Sequence, residues 1–579
     1  MKRLKFPKNT QHFVMLFLLL VLSFVAMKDL LKPGFYESHD GIIHVMRLAH
    51  FDQALHEGQF PVRWLPTWMG GYGSPVFNFN WSLPYYFASF THLLHISYED
   101  SFKIILVLTY LLSAVCAYIF VFEMFNDYPA AFTAAVLYVW VPYRFTEIFI
   151  RGAIGEACAF LFLPLIFWLI LRLSKKESWI AEFFLVLSWT LFILTHNLIA
   201  FLSIPIYVAY VLWLGKFLVN KWHWFIRIGL LLALSFGLAA WFWFPATIEL
   251  KEINYSRGYG EINNQFLKPF VLFNSPWRYA YSTPAHPDFS MSFQLGIIHW
   301  LVIIAVMMQM FIYKSIKRDS KSFSYQTGVW YVGILVISIL LTLEISRPLY
   351  QIIPLARVIG FPWRLLTFTT FAISILGGVL ITELKKTQLK YAATLMLVLL
   401  SLYFYISYAR IVSWSYTASD QEYLTTLKTN VQYLPDIEYL PLGAQYLPVL
   451  EQQGDARPNP LLFAERPGVT ITSLNRKSLV ISAIIKSENI ENIHARQFYF
   501  PGWILWIDGR ETSLQKDQYG LLLFQLPQGK HQIILQFTNT WIRSLANGLS
   551  LVSLVVWILL CIWRIHQKNS IKTINTYTQ

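Results

Sequence analysis

Apolar residues gather along this chain in runs of membrane length. They fall at about 13–31, 102–125, 129–145, 155–172, 179–196, 198–218, 224–244, 294–313, 325–345, 364–383, 391–408 and 544–563. A helix needs about 20 such residues to cross a bilayer, so the pattern predicts an α-helical polytopic membrane protein with about twelve transmembrane helices. The first run follows Lys2, Arg3, Lys5 and Lys8, and its downstream flank reads Met27-Lys28-Asp29-Leu30. That flank lacks the small-x-small pattern of a cleavage site, so the run reads as a retained anchor. Threaded alternately, the runs put Arg172/Lys175/Lys176, Lys216/Lys221, Lys314/Lys317/Arg318/Lys321 and Lys385/Lys386/Lys390 on the side of both termini. Arg564, Lys568 and Lys572 follow on the same side. Only the tight turn 126–128 breaks that series, and basic loops are the cytoplasmic ones. Counting the aromatic stretch 81–96 as a span would invert every later loop. It therefore belongs to the first external loop, at interfacial depth.

Three segments lie outside the membrane in this map: 32–101, 245–293 and 409–542. The domain plan is a multi-span region 1–408, a C-terminal extracytoplasmic antiparallel β domain 409–542, and a last helix with its tail, 543–579. Strands are predicted at 479–485, 496–507, 519–526 and 530–537, with Asp508-Gly509 and Gln528-Gly529 as turns. YLP recurs at 433–435, 439–441 and 446–448 with irregular spacing, which reads as extended linker.

Composition agrees. The 579 residues are 56% apolar and 13% charged, about half the usual charged share. That excludes an ordinary soluble enzyme and a disordered chain. The net charge of +14 is spent on loops and forms no basic stripe on a soluble domain, so it points to topology and not to nucleic acid. Cys116, Cys158 and Cys561 all sit in apolar runs, without zinc spacing.

Ionisable residues beside membrane spans are functional candidates. Asp40, Glu147, Arg151, Glu156, Glu249, Arg257, Arg357 and Arg364 all fall near external span ends. In the first loop Asp40 and His44 share a face if 40–57 is a helix. A carboxylate beside an imidazole suits a general base or a divalent ion, and Asp40 equally suits an N-cap. His50 and His56 read as interfacial polar groups. Arg63, beside Trp64 in a glycine-punctuated aromatic loop, suits a lipid phosphate. Glu147 and Arg151 can pair at i, i+4. Glu156 enters an apolar span with no local partner, and an unpaired carboxyl there resists ionisation. His196 and Arg364 end spans on the same side.

The strings HDGIIHVMRLAH (39–50), IRGAIGEACAFLFLPL (150–165), THN (195–197) and GFPWRLL (360–366) resemble a bacterial polytopic membrane family labelled "6-pyruvoyl-tetrahydropterin synthase-related". FYFPGWILWIDGRE (498–511) and LPQGKHQIILQF (526–537) resemble the extracytoplasmic sheet domain of related membrane proteins. The zinc chemistry of a soluble pterin synthase has no matching ligand set here. The architecture is similar to that of C-type (GT-C) glycosyltransferases of the bacterial plasma membrane. That resemblance implies transfer of a sugar from a polyprenyl-phosphate carrier to a glycan, lipid or protein acceptor outside the cytoplasm. It implies Asp40 as first-loop acid and base, with His44 and Glu156 as its companions. Arg63, Arg151, His196, Arg257 and Arg364 are then candidates to bind the substrate phosphate. Such enzymes often carry a tandem acidic pair, but position 39 here is His. The resemblance thus implies no certain cofactor: it leaves room for a divalent cation, with unknown ligands, but the missing acidic pair does not support metal dependence. The alternative functions are a non-catalytic membrane scaffold and a glycan or lipid transporter of the cell envelope.

Overall fold

The computed structural model describes residues 8–255, 264–282, 284, 290–315, 322–353, 359–415, 417–425, 437–444 and 460–577. Each apolar run becomes helix. The helices are α1 (Lys8–Met27), α2 (Gly41–His56), α3 (Leu83–Leu93), α4 (Tyr98–Phe125), α5 (Tyr128–Val139), α6 (Ile154–Lys175), α7 (Trp179–Thr195), α8 (Asn197–Gly215), α9 (Lys221–Leu238), α10 (Ala240–Ile248), α11 (Ile297–Ser315), α12 (Phe323–Thr342), α13 (Leu366–Thr382), α14 (Thr387–Tyr405) and α15 (Trp541–Tyr577). Among the described residues eight helices are long and apolar enough to span a membrane. The α9–α10 pair, bent by 73°, is long and apolar enough only when taken together, as a broken span or a re-entrant loop, and α5, α7 and the apolar part of α11 are shorter apolar helices. Helix α3, from the doubtful stretch 81–96, has 11 residues and is too short to cross. Its Phe87, Phe90, Leu93 and Leu94 are exposed.

Local chemistry sets the ends. Ser97 caps α4, its hydroxyl accepting from the Asp100 N–H, and Asn126 closes the helix in the left-handed region. The run predicted at 129–145 is not one helix. It breaks at Trp140 ahead of Pro142, which lacks an N–H and disfavours a helical residue before it. The chain resumes as a short turn, Pro142–Phe145, and a π-helical turn, Thr146–Arg151. Helices α6 and α13 are buried almost throughout, whereas α14 and α15 face outward. Close packing at the centre uses small residues: a Cβ on Gly377 of α13 would lie 2.3 Å from Leu137 of α5. At the basic ends, Arg172 pairs with Glu123 at 2.9 Å and Arg227 with Glu182 at 2.6 Å. Lys317, Arg318 and Lys321 lie outside the described residues.

The β domain is two antiparallel sheets. Strands β1 (Leu462–Ala464), β4 (Glu491–Phe498), β8 (Leu521–Leu526) and β7 (Gln515–Lys516) form one, in the order β1-β4-β8-β7. Strands β2 (Val469–Lys477), β3 (Val480–Ser487), β9 (Gly529–Phe537), β5 (Trp503–Ile507) and β6 (Arg510–Thr512) form the other, in the order β2-β3-β9-β5-β6. The stretch expected as one strand at 496–507 is the end of β4 and all of β5, because Pro501-Gly502 turns the chain from one sheet to the other. Asp508-Gly509 is the tight turn between β5 and β6, both residues with positive φ. Gln528-Gly529 also turns, but it joins β8 and β9 in different sheets and makes no hairpin. Of the YLP repeats only 439–441 lies within the described residues.

This domain rests on the first loop. Trp64 packs among Phe500, Trp503 and Phe537, and its Nε1 donates to Gln497 Oε1 at 3.1 Å. Gln497 in turn donates to the carbonyls of Gly71 (2.7 Å) and Pro66 (3.1 Å).

Candidate functional site

The segment before α2 lies against the turn before α6. His39 N–H donates to the Ile150 carbonyl (3.0 Å) and Asp40 N–H to the Arg151 carbonyl (2.8 Å). Asp40 occupies the N-cap position of α2, yet its side chain makes no capping bond. The carboxylate faces Arg151 Nη2 at 3.5 Å and stays 40% exposed.

Arg151 is the hub. Its Nη1 donates to Glu147 Oε2 (2.5 Å) and to Glu156 Oε2 (2.8 Å), and its guanidinium lies 4.6 Å from the Trp363 ring centre. The other Glu156 oxygen accepts from Arg364 Nε at 2.6 Å and stands 3.8 Å from His196 Nε2. Glu156 is therefore not an unpaired carboxyl. Its partners come from the turn before α6, the α7–α8 junction and the start of α13, which no local window of sequence brings together. Burial pushes the Glu147 carboxyl up to about 8, against the pull of Arg151. Gly155 lets α6 lie flat on Trp81, where a Cβ would sit 2.4 Å from the indole.

The i, i+4 partnership of Asp40 with His44 does not form through the side chains. His44 Nδ1 bonds the Tyr85 hydroxyl at 2.7 Å, and burial holds its pKa well below the usual imidazole value. His39 Nε2 donates to the Ala280 carbonyl at 2.6 Å, and burial lowers its pKa too. Among the described residues no three His, Cys, Asp or Glu side chains are placed to hold a metal ion. The divalent cation allowed by the resemblance thus finds no three-ligand set in the described residues.

Asp40, His44, Arg151, Glu156, His196 and Arg364 line one cavity of about 800 Å³. Its head holds these charges with Trp81 and Trp363. The rest of its lining, an apolar arm of the same cavity, is supplied by Ile193 of α7, Phe201 and Ile204 of α8, Phe236 of α9, and Trp243 and Ala246 of α10. Phe201 at its rim is 43% exposed. Glu438 and Tyr439, from a short 3₁₀ turn ahead of the β domain, complete the wall near Arg47. Sequence reasoning gave no role to Arg47, Trp81, Trp363, Glu438 or Tyr439. Trp363 stood inside the FPWR string, but nothing local marks Glu438 or Tyr439.

Arg63 lies outside this cavity and only 3% exposed. Its guanidinium donates to Asn78 Oδ1 (3.1 Å), the Trp241 carbonyl (2.7 Å) and Asn547 Oδ1 (3.1 Å). The loop expected on the membrane surface is covered by the β domain and α15, so Arg63 is committed to protein contacts, not to a lipid phosphate. Arg257 and Arg357 lie outside the described residues.

Fold and site define a polytopic membrane protein with an ion-paired cavity at the face opposite its basic loops. The chain belongs to the family described as "6-pyruvoyl-tetrahydropterin synthase related domain; membrane protein", whose pattern matches residues 77–416, more than half of its length. An uncharacterised protein of Lactococcus lactis subsp. cremoris (strain MG1363) is 21% identical over 327 residues, 54% of this chain and 51% of that one. The chain thus spans about half the length of that relative. The crystal structure of the Archaeoglobus fulgidus oligosaccharyltransferase, in complex with Zn and sulfate, is similar at a TM-score of 0.40 and 14% identity, over 73% of this chain and 56% of that one. A likeness of that degree carries no chemistry with it.

Proposed function

We propose that this protein is a glycosyltransferase of the bacterial plasma membrane, with both termini cytoplasmic. It moves a sugar from a polyprenyl-phosphate carrier to a glycan, lipid or protein acceptor outside the cytoplasm. The observation that carries the reading is the mixed lining of one cavity, charged on some elements and apolar on others. An apolar arm between α7, α8 and α9–α10 suits an isoprenoid chain. It meets a charged head that holds one half-exposed carboxylate, Asp40, within reach of buried guanidiniums.

The acceptor hydroxyl attacks the anomeric carbon of the donor, a C–O bond forms, and the bond from that carbon to the phosphate oxygen breaks. Asp40 takes the hydroxyl proton. The phosphate leaves with the bonding pair, in the field of Arg47, Arg151 and Arg364. Glu156 positions Arg151 and Arg364 and does not itself move a proton. His44, uncharged through burial, lines the cavity beside Asp40 and is held by the Tyr85 hydroxyl. His196 backs Glu156.

The test is release or transfer of label from polyprenyl-phosphate sugars by protein in lipid vesicles, with Asp40→Asn as comparison. Turnover by wild type and a loss of about 100-fold or more in a folded Asp40→Asn protein supports the reading. Turnover indifferent to the substitution removes Asp40 as base. No turnover with any such donor, together with an Asp40→Asn strain that behaves as wild type, sinks the enzyme reading.

A further inference from the structure

The 73° break between α9 and α10 frees backbone groups from helical pairing. In a membrane these must find partners elsewhere. The last helix and the first loop supply them. The Ser550 hydroxyl of α15 accepts from the Trp241 N–H (2.8 Å) and donates to the Gly237 carbonyl (3.0 Å). Arg63 donates to the Trp241 carbonyl and is braced by Asn547 of α15.

The far end of α10 is held as well. Buried Glu249 accepts from Arg543 Nε (3.0 Å) and Asn78 Nδ2 (2.7 Å) at one oxygen, and from the Thr540 hydroxyl (2.7 Å) at the other. Arg543 reaches into the β domain. Its guanidinium carbon lies 5.1 Å from the Phe500 ring centre and 4.9 Å from that of Phe537, and Nη1 donates to the Thr538 carbonyl at 3.3 Å. Helix α10, clamped at both ends, carries Trp243, Ala246 and Thr247 on the wall of the apolar arm.

We infer that the β domain, through Arg543–Glu249 and the Ser550 and Arg63 clamp of α15, sets the shape of the arm that takes the isoprenoid chain. Arg63, Ser550 and Arg543 are then positioning residues for the donor lipid. This rests on the reading of the cavity as a polyprenyl-phosphate site, and it gives the β domain a part on the donor side.

The test uses the full-length protein in vesicles with one sugar on two carriers, a short and a long polyprenyl phosphate. In Ser550→Ala and Arg543→Lys the KM for the long-chain donor should rise about tenfold, with kcat nearly unchanged and the short-chain KM unmoved. Equal changes for both donors, or a fall in kcat alone, would overturn the inference. Arg543→Lys disturbs a buried ion pair and can fail to fold. Ser550→Ala removes one hydroxyl and no charge, so it decides the matter alone. If wild type turns over neither donor, the proposed function loses support, while sugar-free polyprenyl phosphate still reads the clamp. The long carrier should raise the melting temperature of wild type more than that of Ser550→Ala, and equal shifts would reject the clamp.

Discussion

Asp40 and Arg151 are joined twice: the carboxylate stands 3.5 Å from the guanidinium, and the Asp40 N–H donates to the Arg151 carbonyl at 2.8 Å. The second bond fixes the first. With its backbone tied down, the Asp40 side chain can face the cavity without a capping bond to hold it. The tie requires two stretches of main chain to touch, and Gly152 is where they do. Its φ is +63°, and a Cβ there would lie 2.9 Å from both Gly41 N and Gly41 Cα. Backbone cannot swing aside as the end of a side chain can.

Gly152→Ala should therefore separate the two segments. The expected loss is about 2 kcal/mol or more, from left-handed strain plus the clash. Gly58→Ala is the control. Gly58 also has positive φ (+92°), but a Cβ there meets nothing within 4 Å, so it carries strain alone. Melting of both variants in detergent checks this. A Gly152→Ala midpoint no lower than that of Gly58→Ala would mean that the contact is not tight.

Two buried glutamates share Arg151, and they should respond differently to the loss of charge. Burial raises Glu147 to about 8, against the pull of Arg151, so it holds its proton more firmly than a free carboxyl. A carboxyl whose folded pKa lies above its unfolded value weakens the fold progressively as pH rises from about 4.5 toward 8. Glu147→Gln removes that penalty and should melt at or above wild type at pH 8. Glu156 stands between Arg151 and Arg364, and Glu156→Gln leaves two buried guanidiniums facing a neutral group. A loss of about 3–5 kcal/mol is expected. Melting curves at pH 6 and pH 8 distinguish the pair, and equal losses in the two variants would contradict this division of charge.

Arg364 tests geometry apart from charge. Its Nε holds Glu156 at 2.6 Å while Nη1 holds the Ile359 carbonyl at 3.2 Å. Lysine keeps the charge but not the fork. Arg364→Lys should fold, with a smaller drop in melting temperature than Glu156→Gln, and lose about 10–100-fold in sugar transfer. Wild-type transfer by the variant would show that charge alone suffices there.

The helices were legible because burial in lipid demands long apolar runs, and because basic loops alternate with the rest. The stretch 81–96 was settled by that alternation, and it forms the short helix α3. The site was legible only by sidedness. Charges at one membrane face could be collected from sequence, but not their pairing. Glu156 looked solitary because the i, i+4 spacing assigned Arg151, five positions upstream, to Glu147, and because its other partners Arg364 and His196 lie 208 and 40 positions downstream. Asp40 and His44 looked paired by spacing, yet Tyr85 takes the imidazole. Arg63 looked like a phosphate ligand because nothing in its own loop announces that α15, almost 500 residues later, will cover it. Strand β2 went unseen for a simpler reason: its apolar alternation covers only Val469 to Thr472, and the rest of its residues are mostly exposed and polar.

The β domain holds a titration that can be read independently of the membrane site. His494 on β4 is hydrogen-bonded through Nδ1 to Asp517 (2.8 Å) and through Nε2 to Glu465 (3.0 Å), and stacks on Phe463. These bonds, Asp517 first, raise its pKa above the ordinary 6.5. A histidine whose folded pKa is raised stabilises fully below its unfolded pKa, and that contribution is lost as pH climbs through the raised value. His494→Gln should therefore cost most at about pH 6 and least at about pH 9. The comparison must be between variant and wild type at each pH, because buried His44 and His39, with lowered pKa values, make the whole chain less stable on the acid side. They are present in both proteins and cancel, as does the more exposed His531–Asp508 pair. Melting differences measured from pH 6 to pH 9 decide it: a gap that shrinks with rising pH marks a charged imidazole between two carboxylates, and a constant or widening gap marks a neutral one.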